Sequence, residues 1–102
     1  MEKVIIENCE AKNVYGSSCD RSNAGWINDW ERVTGRTANK CVYLGCGNEA
    51  EVGGHLYLKR YSVNYTYLAP ICYSCNNSKE GEYFGIKKNT AFIKKPSNAC
   101  YR

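Results

Sequence analysis

Two pairs of cysteines decide the fold of this chain: residues 41–46 read Cys-Val-Tyr-Leu-Gly-Cys, and residues 72–75 read Cys-Tyr-Ser-Cys. Zinc sites are commonly built from two such pairs, because each short spacing forms a tight turn that aims two thiolates at one point. Tetrahedral coordination by four sulfurs favours zinc over iron. The spacing therefore predicts one structural Zn²⁺ bound by Cys41, Cys46, Cys72 and Cys75. Two local disulfides, or buried thiols without metal, are the alternatives.

Length and composition limit what this chain can be. It has 102 residues, of which seven are cysteine. This is one domain's length, so we expect a single domain over residues 1–102 and exclude a two-domain enzyme. A core this small commonly needs metal or disulfides for stability. No apolar run approaches the roughly 18 residues of a membrane span, and residues 1–7 lack a signal-peptide pattern. We therefore expect a cytoplasmic protein with no membrane partner, in a compartment where cysteines bind metal more often than they pair.

Hydrophobic periodicity predicts an α+β fold. The predicted strands cover residues 3–7, 50–58, 64–71 and 90–94, and the predicted helices cover 22–34 and 72–80. Trp26, Ile27, Trp30 and Val33 form one apolar stripe on the first helix. Aromatic residues at helical spacing are more often core than ligand-binding, so we expect the tryptophans to pack inside.

Positive charge is concentrated in the second half of the chain. Residues 1–54 hold six basic and eight acidic side chains, whereas residues 55–102 hold eight basic and two acidic ones. Tyrosines are interleaved with these cations, a pattern that suits phosphate binding and base stacking. Half-buried strand tyrosines with solvated lysines are the alternative. The candidate nucleic-acid or partner-binding residues are Lys59, Arg60, Lys79, Lys87, Lys88, Lys94 and Lys95.

The segment between residues 41 and 79 resembles the zinc-containing branch of the HNH nuclease superfamily, which has a treble-clef (ββα-metal) fold. The residues that carry this resemblance are Cys41-x4-Cys46, Val52-Gly53-Gly54-His55-Leu56, and Tyr67-Leu68-Ala69-Pro70-Ile71-Cys72-x2-Cys75-Asn76-x2-Lys79. It implies a zinc-bound core over 41–80, made of a knuckle, a β-hairpin and a short helix. Residues 1–40 would add a short strand, a loop and an amphipathic helix, and residues 81–102 a basic strand and tail. The string is also similar to small stand-alone HNH-like proteins of bacteria and phages, which implies a bacterial or phage-infected host cell.

The same resemblance implies catalytic roles for His55 and Asn76. His55 would be the general base that activates water, and Asn76 an oxygen ligand of Mg²⁺ or Mn²⁺, which would be a cofactor only in a nuclease. The family's metal ligand before the histidine is Gly54 here, and its second-strand asparagine is Tyr67. Glu80 is the one nearby carboxylate that suits a metal. His55 has other interpretations as well: a packed hairpin residue, a group beside the zinc, or a zinc ligand.

Val52-Gly53-Gly54 precedes the histidine, and paired glycines on a strand either let another backbone approach closely or form a bulge. Outside the predicted zinc site lie Cys9, Cys19 and Cys100. A Cys19–Cys100 or Cys9–Cys100 contact would tie the chain ends together, and three free thiols are the alternative.

Three functional classes remain open from the sequence. The first is a zinc-stabilised HNH-like domain that binds nucleic acid without efficient catalysis. The second is a protein-binding inhibitor or adaptor, such as a phage product that acts on a host defence complex. The third is a divergent metal-dependent nuclease with His55 as its general base.

Overall fold

A computed structural model describes residues 2–14, 25–79 and 81–96 of the chain. Within these ranges the fold is α+β, as predicted, with one six-stranded sheet and two helices. The elements are β1 (Glu2–Ile5), β2 (Glu10–Asn13), α1 (Trp26–Thr34), β3 (Val52–Leu58), β4 (Tyr65–Ile71), α2 (Tyr73–Ser78), β5 (Phe84–Gly85) and β6 (Ala91–Pro96). Every strand pair is antiparallel, and the order across the sheet is β1-β6-β4-β3-β2-β5. Neither helix in the described ranges has the length and apolar character of a membrane span.

The β3–β4 hairpin sets the two faces of the sheet. Leu56 lies opposite Tyr67, and His55 lies opposite Leu68. Because successive side chains on a strand point to opposite faces, Leu56 and His55 are on different sides of the sheet. The hairpin register therefore places His55 on the face opposite the core cluster that contains Leu56.

Helix α1 covers the face on which His55 lies. Trp30 is 4% exposed, packs with Leu68 and Ile93, and donates a hydrogen bond from its indole N–H to the Ala91 carbonyl at 2.8 Å. Trp26 and Val33 pack at the edge of this cluster. The tryptophans thus lie in or beside the core, in agreement with the helical stripe. The helix begins at Trp26, and residues 22–24 of the predicted helix lie outside the described ranges.

The knuckle (residues 40–49) covers the opposite face. Tyr43 is 1% exposed and packs among side chains of this core, which include Leu56, Leu58, Ala69, Ile71 and Phe92. The Val42 N–H donates to the Pro70 carbonyl, and Tyr43 forms an isolated bridge with Ile86. The cysteine-bearing segment is therefore part of the main core.

Gly53 and Gly54 are required by close packing. A Cβ on Gly53 would lie 2.7 Å from the Trp26 Cβ and 2.9 Å from the Ile27 nitrogen, and one on Gly54 would lie 2.3 Å from the Ile71 Cδ1. All three distances are below any normal van der Waals contact. Of the two roles expected for the glycine pair, close approach is the one that the structure has, because α1 lies directly against β3.

Two strands differ from the sequence prediction. β2 lies in the part of residues 1–21 that was expected to be loop, and β5 was not predicted. The β2 sequence is Glu-Ala-Lys-Asn, which contains no β-branched or aromatic residue. It forms because β3 offers a free edge, on which Ala11 pairs with Leu58 and becomes fully buried. β5 has only two residues and pairs with β2 in turn.

Candidate metal centre

The four cysteines of the two pairs come together at one point. Their sulfurs all lie within 4.8 Å of one another. The Cys46 Sγ is 3.8 Å from the Cys72 Sγ and 3.9 Å from the Cys75 Sγ. Four sulfurs placed about 2.3 Å from a zinc ion at tetrahedral corners are about 3.8 Å apart. The cluster therefore has the size that a metal ion of this kind requires.

The four thiols are free, so the cluster does not consist of two local disulfides. Cys41, Cys72 and Cys75 are buried, and Cys46 is half-buried. Burial opposes the ionised form of thiols that have no positive partner. A metal ion that binds all four as thiolates would supply that positive charge. The donor set fits zinc.

Local backbone geometry aims each thiol inward. In the knuckle, the Cys41 N–H donates to the Asn48 carbonyl and the Cys46 N–H donates to the Tyr43 carbonyl. Gly45 adopts a φ of 81°, which side chains other than glycine rarely accept. In the second pair, Cys72 ends the hairpin and caps α2, where its sulfur accepts a hydrogen bond from the Cys75 N–H at 3.4 Å. The end of one strand and the start of one helix thus present two sulfurs from a four-residue segment.

The thiols of the cluster differ in acidity. Burial raises the pKa of the Cys41 and Cys75 thiols, and hydrogen bonds with neighbouring thiols add to the effect at Cys75. Burial also acts to raise the pKa of Cys72. There, however, the Cys75 N–H, the Asn48 amide and the neighbouring thiols together lower the pKa to about 6. The donors around Cys72 thus favour its ionised form, which is the form that binds metal.

Polar side chains outside the cysteine pattern complete the centre. The Lys87 ammonium donates to the Cys41 carbonyl at 2.7 Å and to the Cys46 carbonyl at 2.6 Å. The Asn13 amide donates to the Cys75 carbonyl at 2.6 Å. These two groups hold both cysteine pairs from outside, and the lysine also brings positive charge to a site that would carry two negative charges as Zn(Cys)₄. Sequence reasoning assigned neither residue to this centre, because neither lies at a ligand spacing.

His55 is not part of the cysteine cluster. It is 6% exposed on the α1 face, and its ring meets the Trp26 ring edge to face with centroids 5.0 Å apart. Asn76 lies on α2 directly after Cys75. Since the cysteines join the core on the other face, the histidine is separated from them by the sheet. Glu80 lies outside the described residues.

The seven candidate basic residues do not form one surface. Lys87 belongs to the metal centre, and Lys79 lies 3.8 Å from the Phe84 ring centroid. Lys95 is 6% exposed and lies over the Trp26 ring on the α1 face. Its neighbour Lys94 projects to the opposite face. Lys88 is exposed beyond the metal centre. Only part of the predicted set is therefore free to meet a large anionic ligand.

Aromatic and cationic side chains do gather at the end of the β3–β4 hairpin. This loop patch consists of Lys59, Arg60, Tyr61, Val63, Tyr65 and Lys94. Tyr61 is 45% exposed, Tyr65 is 39% exposed, and the Lys94 ammonium lies 4.3 Å from the Tyr65 ring centroid. The two tyrosines flank Tyr67, which is buried and lies edge to face with Tyr61 at 6.0 Å. The patch is thus an exposed extension of the core face.

Cys9 is buried and free, and its thiol donates to the Ile6 carbonyl at 3.5 Å. Burial raises the pKa of this thiol. Cys19 and Cys100 lie outside the described residues, and so do the contacts predicted for them. No protein-family model, curated protein or solved structure matches this chain.

Proposed function

We propose that this chain is a zinc-stabilised treble-clef domain that acts by binding nucleic acid, without efficient catalysis. The observation that carries the proposal is the loop patch, where exposed tyrosines and cations occur together on one end of the sheet. Lysine and arginine neutralise phosphates, and exposed tyrosine rings stack on bases. The loop patch combines both chemistries on one surface.

The order of elements around the cysteines supports the treble-clef assignment. A knuckle bears the first pair, the β3–β4 hairpin follows, and the second pair ends the hairpin and begins α2. Sulfur separations of 3.8 and 3.9 Å support zinc as the bound ion. Cysteines that bind metal instead of forming disulfides are typical of a reducing compartment, which supports a cytoplasmic location.

The surroundings of His55 favour binding over catalysis. A general base must reach the water that it activates. The His55 ring is buried under Trp26, and the neighbouring Gly54 has neither a side chain for a metal nor the space for one, given the close contact of its position with Ile71. The packed interpretation of His55 is therefore the one that we adopt.

Metal content, cleavage and salt-dependent binding test this proposal together. We expect one zinc per chain by mass spectrometry, and no cleavage of plasmid, single-stranded DNA or RNA with Mg²⁺ or Mn²⁺. We also expect binding to labelled nucleic acid that weakens linearly in log K against log salt. Cleavage that is lost in His55→Ala would instead establish the nuclease, and salt-insensitive or absent binding would refute the nucleic-acid ligand.

Exposed apolar residues beside the cysteines favour a second candidate, a protein-binding adaptor or inhibitor. Leu44 in the knuckle is 68% exposed, and Tyr73, which follows Cys72, is 56% exposed. Tyrosine is enriched at protein interfaces. Burial of exposed apolar side chains against a partner removes their surface from water, which favours binding. A pull-down that survives nuclease and moderate salt, and is lost in Leu44→Ser, would favour this class.

A further inference from the structure

A pocket of about 440 Å³ opens beside the loop patch. One wall is the β1–β2 turn, residues 6–10, and the other is formed by Lys59, Arg60 and Tyr61. This volume lies within the roughly 300–1,000 Å³ of pockets that hold small organic ligands. Tyr61 belongs to both features, so the pocket and the exposed tyrosines form one continuous surface.

The charges of the pocket leave a cation available to a ligand. Lys59 forms an ion pair with Glu10 at 3.3 Å. The Glu7 carboxylate accepts a hydrogen bond from the Asn89 N–H at 3.0 Å. Both acidic side chains therefore have partners. Arg60 makes no hydrogen bond or ion pair with another residue in the described part of the chain, and its φ of 72° holds it at the tip of the turn. Its guanidinium can bind a phosphate in a bidentate geometry.

We infer that the pocket and the loop patch bind single-stranded nucleic acid. One unpaired base enters the pocket against Tyr61, its phosphate lies at Arg60 and Lys59, and the next base stacks on Tyr65. This inference rests on the proposed function and adds to it the form of the nucleic acid and the residues that recognise it. A duplex does not present these groups, because its bases are paired and stacked on each other and would have to be extruded.

The arrangement predicts the size of the electrostatic contribution. Lys59, Arg60 and Lys94 are the three cations of the patch. With three phosphates neutralised on a single strand, log K should fall with log salt with a slope of about −2. Each stacking tyrosine should contribute about tenfold in affinity, the lower part of the range for base–aromatic stacking.

Fluorescence anisotropy with a labelled mixed-sequence 12-nucleotide DNA strand, its RNA counterpart and the matching duplex tests the inference. The full chain loaded with zinc should bind the single strands about tenfold more tightly than the duplex at equal salt. Tyr61→Leu and Tyr65→Leu should each weaken single-strand binding about tenfold. Tyr73→Leu is the matched control, because this tyrosine is even more exposed, 56% against 45% and 39%, but lies on α2, and it should bind like the unaltered chain.

A second pair of variants tests the cations. Arg60→Gln removes the cation that has no partner in the described part of the chain, and it should reduce the salt slope by about 0.7. Lys40→Gln removes a half-exposed lysine of the knuckle that is paired with Glu49, and it should leave the slope unchanged.

The results of these experiments distinguish failure of the single-strand site from failure of the proposed nucleic-acid binding. The single-strand site would be overturned if single strand and duplex bound with equal affinity, or if Tyr61→Leu and Tyr65→Leu bound like Tyr73→Leu. Either result would leave the proposed nucleic-acid binding intact. Absence of salt-dependent binding to every probe would overturn both. Circular dichroism and zinc content equal to those of the unaltered chain ensure that a lost signal reports lost binding.

Discussion

Lys87 offers the sharpest test of how the metal centre is built. The sequence placed it among nucleic-acid-binding cations, whereas its ammonium donates to the Cys41 and Cys46 carbonyls at 2.7 and 2.6 Å. Lys87→Met keeps the length of the side chain and removes both hydrogen bonds and the positive charge. The neighbouring Lys88 is exposed and provides the matched control variant Lys88→Met.

The expected cost follows from these two contacts. A hydrogen bond that involves a charged group contributes about 1.5–3 kcal/mol. Lys87 is half-buried, so water replaces part of what is lost, and we expect about 2 kcal/mol for the two bonds together. In a domain of this size, that loss lowers the melting temperature by about 8 to 16 °C. Because metal binding and folding form one equilibrium, the same loss reduces apparent zinc affinity about 30-fold.

Thermal unfolding by circular dichroism and competition with a zinc chelator measure the two effects. Lys87→Met should melt earlier and lose zinc at lower chelator concentration, while its binding to a labelled DNA strand at full zinc occupancy stays unchanged. Equal melting temperatures and equal zinc retention in Lys87→Met and Lys88→Met would refute this role of Lys87. Loss of DNA affinity in zinc-loaded Lys87→Met would refute it as well.

Three further predictions concern the metal site and the packing. Cys75→Ser should lose zinc and largely unfold, and the unaltered chain should do the same when a chelator is added. Cys9→Ala should keep one zinc, as measured by mass spectrometry, and stay folded by circular dichroism. A Cys75→Ser variant that keeps its zinc and its fold would contradict the four-sulfur site. Gly53→Ala should cost about 1–3 kcal/mol in urea unfolding, because its methyl would lie 2.8 Å from the Trp26 carbonyl carbon and 2.9 Å from the Ile27 nitrogen. Gly47→Ala, which has open space, should be nearly neutral, and equal stabilities of the two variants would contradict the close packing. Trp30→Phe should cost about 2 kcal/mol in the same assay, because the buried Ala91 carbonyl on β6 loses its hydrogen-bond donor. An unchanged unfolding midpoint would show that this hydrogen bond does not stabilise the fold.

The candidate metal centre was largely predictable from the sequence. Two short cysteine spacings imply tight turns, and tight turns that carry thiolates converge on a metal for a general geometric reason. The hairpin was equally predictable, because residues 50–58 and 64–71 are rich in tyrosine and leucine and also contain Val52 and Ile71, residue types that are common in strands. Its observed bounds, Val52–Leu58 and Tyr65–Ile71, lie inside those ranges.

The strand β2 could not be predicted in this way. Its residues have no strand preference, and they pair only because β3 presents a free edge next to the metal-bearing core. The hydrogen bonds of Asn13 and Lys87 to the cysteine carbonyls could not be predicted for a similar reason. Asn13 lies 62 residues from Cys75, and Lys87 lies 46 residues from Cys41, so no local pattern joins them.

The sequence by itself determined the four candidate ligands, the hairpin between them and the apolar stripe of the first helix, because each depends on spacing within a few residues. Only the tertiary structure decided the roles of the scattered residues. Strand alternation turned His55 toward Trp26 and away from the cysteines, and it sent Lys94 and Lys95 to opposite faces. Folding also brought the β1–β2 turn beside Tyr61 to form a pocket. These placements depend on which distant segments pack together, and a single residue of strand register reverses the face on which a side chain lies.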